Sequence, residues 1–134
     1  MMPPAHVSVE AWEEEGRVIK GIRLLAPLRV ALVVDRWPAP LRLQVVVPEG
    51  YLSDGASVPR ILWRLLSPPI DPITLTPSIV HDWLYDHGSA LGLTRIEADE
   101  WYADALYRNG YAAWRTMLTY VGVRLGGGSR WTST

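Results

Sequence analysis

The hydrophobic pattern of this chain changes once, near residue 56, and the change restricts the folds that are open to it. Before that point, apolar residues form short β-branched runs at 29–35 and 41–47, separated by turns that contain proline. After it, apolar residues recur three and four positions apart in segments bounded by helix caps. Strands followed by helices predict an α+β domain, in which an N-terminal antiparallel β-sheet of three to four strands packs on a C-terminal bundle of about four helices.

Each predicted element has its own boundary signals. The strands cover 17–25, 29–35 and 41–47, and their short links indicate an antiparallel meander. We expect four helices. The first runs from Ser57 through Leu66, and the second from a Thr76 cap, with Pro77 first in the helix, to Gly88. The third runs from the Thr94–Glu97 capping box to about Asn109, and the fourth from about Ala112 to Leu125.

The length of 134 residues indicates one domain over 1–134, which is long enough to bury a core without metals or disulfides. We expect this domain to be mainly β over 5–56 and mainly α over 57–126. The remaining residues, 127–134, are predicted to be a loose tail in which Trp131 is the one candidate anchor.

Composition removes several classes of function. The chain has no cysteine, which excludes disulfides and thiolate metal sites. Its net charge of -1 provides no basic surface for nucleic acid. The chain does not begin with the basic and then apolar segment of a secretory signal, and no apolar run is long enough to span a membrane. We therefore expect no nucleic-acid partner and no transmembrane segment.

One group of residues on the second and third predicted helices has the composition of a catalytic site. His81 and Tyr85 are four apart and share a helix face, and Asp82 lies on the adjacent face. The short link between the two helices predicts an antiparallel pair, which would bring Asp99 to the imidazole of His81. A histidine held by a carboxylate is suited to take a proton from water.

We expect Asp82 to point about 100° away from the imidazole around the helix, so it can bind a hard cation without competing for His81. Such a cation would stabilise negative charge developing on a substrate. Calcium is the expected metal, because calcium takes several oxygen ligands and the loop 53–57, with Asp54, carries oxygen donors. Asp82 and Asp54 are therefore the candidate metal ligands.

The same residues also fit a purely structural role. His81 would then belong to a buried polar network with Asp99 and Tyr85, and an arginine such as Arg60 or Arg95 would hold Asp82. Asp54 precedes a glycine, and this dipeptide is typical of turns.

Four separated motifs resemble the domain of unknown function 1353 family, and the resemblance covers roughly residues 41 to 131. They are the run from Val47 to Arg60, the pentapeptide His81 to Tyr85, the segment Arg95 to Tyr102 and the helix containing Trp114-Arg115. Members of that family occur mainly in tailed phages and prophages, so the resemblance implies a phage or prophage origin. It implies no mechanism.

The two helices that carry the histidine are also similar to the helix pair of phospholipase A2. The shared pattern is His-Asp-x-x-Tyr, followed on the next helix by an Asp with an aromatic residue three positions later. This resemblance implies that His81 is a general base, that Asp82 binds calcium, that Asp99 orients the histidine and that Tyr85 supports it. The chain departs from that family because it has neither the disulfides nor the cysteine- and glycine-rich calcium loop.

Two functions remain open at this point. The first is a phage-encoded, metal-assisted hydrolase that acts on an ester, such as a phospholipid of the host envelope. The alternative is a non-enzymatic virion protein of the tail or neck, or a host-interaction protein, with Trp12, Trp37 and Trp131 as contact residues. Without a secretory signal, the expected location is the host cytoplasm or the phage virion.

Overall fold

The computed structural model of the chain describes residues 9–12, 21–53 and 74–133. Within these ranges the strands are β1 (Val9–Trp12), β2 (Gly21–Leu24), β3 (Leu28–Val34), β4 (Leu41–Val47) and β5 (Leu52–Ser53). The helices are α1 (Leu75–His87), α2 (Arg95–Arg108) and α3 (Ala113–Gly126), with short 3-10 turns at Ser89–Leu91 and Gly128–Arg130. Strands precede helices, so the predicted α+β class is confirmed.

The segment β2-β3 pairs with the segment β4-β5 as one antiparallel ribbon, which is divided into two sheets. The first sheet has the order β1-β2-β5 and the second is the hairpin β3-β4, so the described strands form two sheets where one was expected. Ile22 lies opposite Ser53 and Leu28 lies opposite Val47, so six residues forward on one segment correspond to six residues back on the other. The register is therefore the same on both sides of the division.

Two prolines account for the division of the ribbon. In the shared register Pro27 falls opposite Pro48, next to the pair of Leu28 and Val47. A proline has no backbone N–H and cannot donate to a ladder, so the pairing is interrupted at this point. Backbone hydrogen bonds resume at Leu24, whose N–H donates to the carbonyl of Tyr51 at 3.0 Å.

The hairpin β3-β4 turns one face toward the helices. Buried and exposed residues alternate strictly along β3, as period-two side chains on a half-buried strand must. The core that results joins the inner residues of the ribbon to α1 and α2, and its fully buried members include Leu32, Val47, Ile79, Val80, Leu84 and Leu106. The helices that carry the candidate site are therefore held against the sheet by apolar packing.

The capping box at the start of α2 is confirmed. Thr94 is the N-cap, its side chain accepts a hydrogen bond from the Glu97 backbone N–H, and the Glu97 carboxylate accepts one from the Thr94 N–H at 2.9 Å. The predicted strand 41–47 is likewise confirmed with its bounds unchanged.

The predicted start of α1 is wrong by two residues. The helix begins at Leu75 after Thr74, so Thr76 is not its cap and Pro77 is the third helical residue. Proline is tolerated throughout a first turn, because the N–H groups there have no acceptor within the helix. Pro77 therefore indicated the first turn without fixing the first residue.

The helix predicted from Ser57 through Leu66 lies outside the described residues. None of the helices in the described part of the chain combines the length and the hydropathy that crossing a bilayer requires.

Candidate active site

The helices α1 and α2 run antiparallel and bring the predicted residues together. His81 Nε2 lies 2.8 Å from Asp99 Oδ1, and both side chains are fully buried. One turn along, the Ser78 hydroxyl lies 2.9 Å from the Tyr102 hydroxyl. The contacts therefore run in opposite directions along the two helices. This antiparallel packing is what the short link from Gly88 to Thr94 requires.

The hydrogen bond to Asp99 fixes the tautomer of His81. Burial alone would raise the pKa of Asp99, but hydrogen bonds, first from His81 and Tyr85, outweigh burial and lower that pKa. Asp99 is therefore a carboxylate that only accepts, and His81 Nε2 must donate to it. In the neutral imidazole the lone pair is then on Nδ1, which is buried and has no hydrogen-bond partner among the described residues.

Tyr85 supports the same carboxylate from the next turn of α1. Its hydroxyl donates to Asp99 Oδ1 at 2.7 Å. Burial, together with the bond to Asp99, raises the pKa of Tyr85 to about 12, so the hydroxyl keeps its proton and remains a donor. The predicted group of His81, Asp99 and Tyr85 is thus assembled around one carboxylate oxygen.

Two arginines complete the site, and neither was predicted to lie at Asp99. Arg124, on α3, donates from Nη1 to Asp99 Oδ2 at 2.9 Å. Arg95 donates from Nε to the Tyr85 hydroxyl at 3.2 Å and holds the Val123 and Arg124 carbonyls with Nη2. The signal that could have identified Arg124 is the short link between α2 and α3, because antiparallel packing places the end of α3 beside the start of α2.

Two aromatic rings hold the imidazole of His81. Tyr102 stacks on it at 4.2 Å between ring centroids with 19° between the planes, and Tyr85 lies 4.6 Å away at 49°. Burial raises the pKa of Tyr102, so its hydroxyl remains protonated beside Ser78. The ring of His81 therefore has a fixed plane as well as a fixed tautomer.

Asp82, the candidate metal ligand, follows His81 on α1 and contacts β5. It is buried, and its Oδ2 accepts a hydrogen bond from the Ser53 hydroxyl at 2.7 Å. Arg95, one of the arginines considered for it, contacts Tyr85 and α3. Arg60 and Asp54, the second candidate ligand, lie outside the described residues, and in the described part of the chain no three metal-binding side chains cluster.

The three tryptophans of the alternative function lie on different elements of the fold. Trp37 is almost fully exposed in the turn between β3 and β4. Trp131 packs edge-on against Tyr85, with 5.3 Å between ring centroids, and the neighbouring Thr132 N–H donates to the Tyr85 carbonyl. Trp12 ends β1.

Comparison with known proteins places these residues in a defined family. No solved structure matches the chain. An uncharacterized protein, y4jT, of Sinorhizobium fredii (strain NBRC 101917 / NGR234) is 28% identical over 88 residues, which are 66% of this chain and 23% of that protein. The chain therefore corresponds to less than a quarter of that relative. The profile described as Protein of unknown function (DUF1353) matches residues 34–123, a range that includes all of α1 and α2, and the chain belongs to that family.

Proposed function

We propose that this domain is a hydrolase in which His81 is the general base and Asp99 and Tyr85 orient it. The observation that carries the proposal is the buried Nδ1 of His81, which has no hydrogen-bond partner among the described residues while Nε2 is held by a carboxylate. Leaving a buried polar atom unpaired costs about 1–3 kcal/mol, so such atoms concentrate where a ligand or a reacting water supplies the missing bond.

The chemistry assigned to His81 is the hydrolysis of an ester. Nδ1 takes a proton from water while the water oxygen forms a bond to the ester carbonyl carbon. The bond from that carbon to the alcohol oxygen then breaks, and the proton on Nδ1 passes to the departing alkoxide. Asp99 stabilises the imidazolium that exists between the two transfers, and its own proton inventory does not change.

A cation at Asp82 is a separate part of the proposal. Calcium there would polarise the ester carbonyl, and Asp54 directly follows in the sequence Ser53, whose hydroxyl already contacts Asp82. A phospholipid of a host envelope is the proposed substrate, in line with the phage setting that the family resemblance implies.

The test measures acid release from short-chain nitrophenyl esters and from phosphatidylglycerol vesicles, with and without calcium. His81→Gln should lower the rate at least about 100-fold, the usual contribution of a general base. His87→Gln is the matched control, because His87 is an exposed histidine on the same helix and should be silent. Asp82→Asn should abolish any calcium dependence. Equal rates for the two histidine variants would refute the assignment of His81.

A second function is favoured by a different observation, the completeness of burial around Asp99. His81 and Asp99 are both fully buried, and the carboxylate accepts bonds from three side chains, including that of Arg124. A saturated network of this kind also stabilises a non-enzymatic virion or host-interaction protein. That function predicts no ester hydrolysis by the wild type and a large loss of stability in His81→Gln.

A further inference from the structure

The outer face of α3 carries a continuous apolar stripe that the described residues 9–12, 21–53 and 74–133 leave exposed. Its members, which are between 36% and 84% exposed, are Trp114, Met117, Leu118, Val121 and Leu125. They recur at spacings of three, one, three and four residues, so they lie on one side of the helix. We define these five residues as the α3 stripe.

The opposite face of α3 is already buried. Thr116, Thr119, Gly122 and Val123 form that face, and α3 packs on α2. A helix with apolar residues outside its packed face resembles the helices found inside larger assemblies, whereas a surface helix normally has a polar outer face. The α3 stripe therefore has the character of an interface.

We propose that the α3 stripe is the contact between two copies of this chain, which pair through antiparallel α3 helices about a two-fold axis. The spacing of three and four residues is that of a helix seam that packs on another helix. In a two-fold arrangement Trp114 of one copy lies near Leu125 of the other, because these residues mark the two ends of the stripe.

The charges on α3 are compatible with this pairing. Its charged residues are Arg115 and Arg124, and these lie at equal distances from the middle of the stripe. About a two-fold axis at the middle, equivalent arginines of the two copies are roughly 13 Å apart along the helix axis. That separation exceeds the Debye length of about 8 Å at physiological ionic strength, so repulsion is largely screened. Arg115 of one copy is level with Arg124 of the other, but the nine residues between these positions place them on opposite flanks of the seam.

The same charges argue against an anionic membrane surface as the occupant. Helices that lie on membranes carry many lysines and arginines beside the apolar face. On α3, Arg124 is already bonded to Asp99, which leaves Arg115 as the cation available to headgroups. A second copy needs no such charges.

The area of the stripe is small for a specific dimer interface. Two stripes in contact would bury on the order of 1,000 Å² in total, which is near the lower limit for a specific interface. The dissociation constant should therefore lie between about 1 μM and about 1 mM. The dimer would form at laboratory concentrations and dissociate on dilution.

Sedimentation velocity of the full chain across that concentration range is the first test. The mass should rise from 15.0 kDa toward twice that value. Val121→Glu, near the two-fold axis, should keep the chain at 15.0 kDa, with unchanged circular dichroism. Val46→Glu is the matched control, because Val46 on β4 is 40% exposed and Val121 is 43% exposed, and it should leave the dimer intact.

Cross-linking tests the geometry independently of the Glu variants. The chain has no cysteine, so each introduced cysteine is the only thiol in the molecule. Val121→Cys should form a disulfide between copies under mild oxidation, since residues beside a two-fold axis come within disulfide reach. Val46→Cys should not. A monomer at every concentration, equal cross-linking of both cysteine variants, or a monomer that instead sediments with phosphatidylglycerol vesicles would each overturn the proposal.

Discussion

Replacing the Asp99 carboxylate by a carboxamide, Asp99→Asn, removes one charge and leaves the shape of the side chain almost unchanged. Asp99 is fully buried and accepts hydrogen bonds from His81 and Tyr85 on one oxygen and from Arg124 on the other. An asparagine has one acceptor oxygen and an NH2 group. If its oxygen faces His81 and Tyr85, its NH2 group meets the donor of Arg124.

The expected cost follows from these contacts. Removing one partner of a buried ion pair costs about 3–5 kcal/mol, and a hydrogen bond to a charged group contributes about 1.5–3 kcal/mol. In the variant, Arg124 is partly exposed and can bond to water, while His81 and Tyr85 keep an acceptor. The loss of stability should therefore lie at the lower end of the range of about 3–5 kcal/mol. We expect Asp99→Asn to lower the free energy of unfolding by about 3 kcal/mol, or the Tm by about 10 °C.

Asp104→Asn on the same helix is the matched control. Asp104 pairs with Arg108 at 2.8 Å, four residues along, but its side chain is 57% exposed. Exposed pairs of this kind contribute less than about 1 kcal/mol. Urea unfolding at neutral pH, followed by far-ultraviolet circular dichroism, gives both values from the transition midpoint and slope. Equal losses in the two variants would contradict the assignment of Asp99 as the centre of a buried network.

Two further predictions concern neighbouring glycines and one ion pair. Gly127→Ala should lower the free energy of unfolding by about 1–3 kcal/mol, because the added Cβ would come within 2.6 Å of the Tyr85 hydroxyl. Gly126→Ala is the control: its Cβ meets open space, so thermal melts should show a neutral or stabilising effect. The hydrogen bond from Arg36 lowers the pKa of Glu97 from 4.5 to about 2, so the pair contributes stability above pH 4.5 that is lost as the pH falls toward 2. Glu97→Gln should flatten the stability curve in that window, and a curve parallel to the wild type would exclude the pair as its cause.

The features predicted correctly from the sequence are those with a local cause. The Thr94–Glu97 capping box needs only residues three apart, and the strand 41–47 is bounded by proline on both sides. The meeting of His81 and Asp99 also followed from local information, because a short link between two helices requires antiparallel packing.

The features that were missed depend on distant parts of the chain. Arg124 reaches Asp99 from a third helix, 25 residues further along, and many arginines in the sequence could have done so. Ser53 contacts Asp82 across 29 residues because of the strand register, which no single turn signal reveals. The two sheets escaped prediction because the opposition of Pro27 and Pro48 becomes visible only when that register is known.

The unbroken register of the ribbon has a consequence for how this family can vary in length. Ser53 reaches Asp82 only if the number of residues between β4 and β5 stays the same. A shift of one residue would turn each strand side chain to the opposite face of the sheet. Insertions and deletions should therefore accumulate in the exposed turn 35–40, where pairing is absent. Between Leu41 and Ser53 a change of one residue would separate the sheet from the helix that carries the histidine.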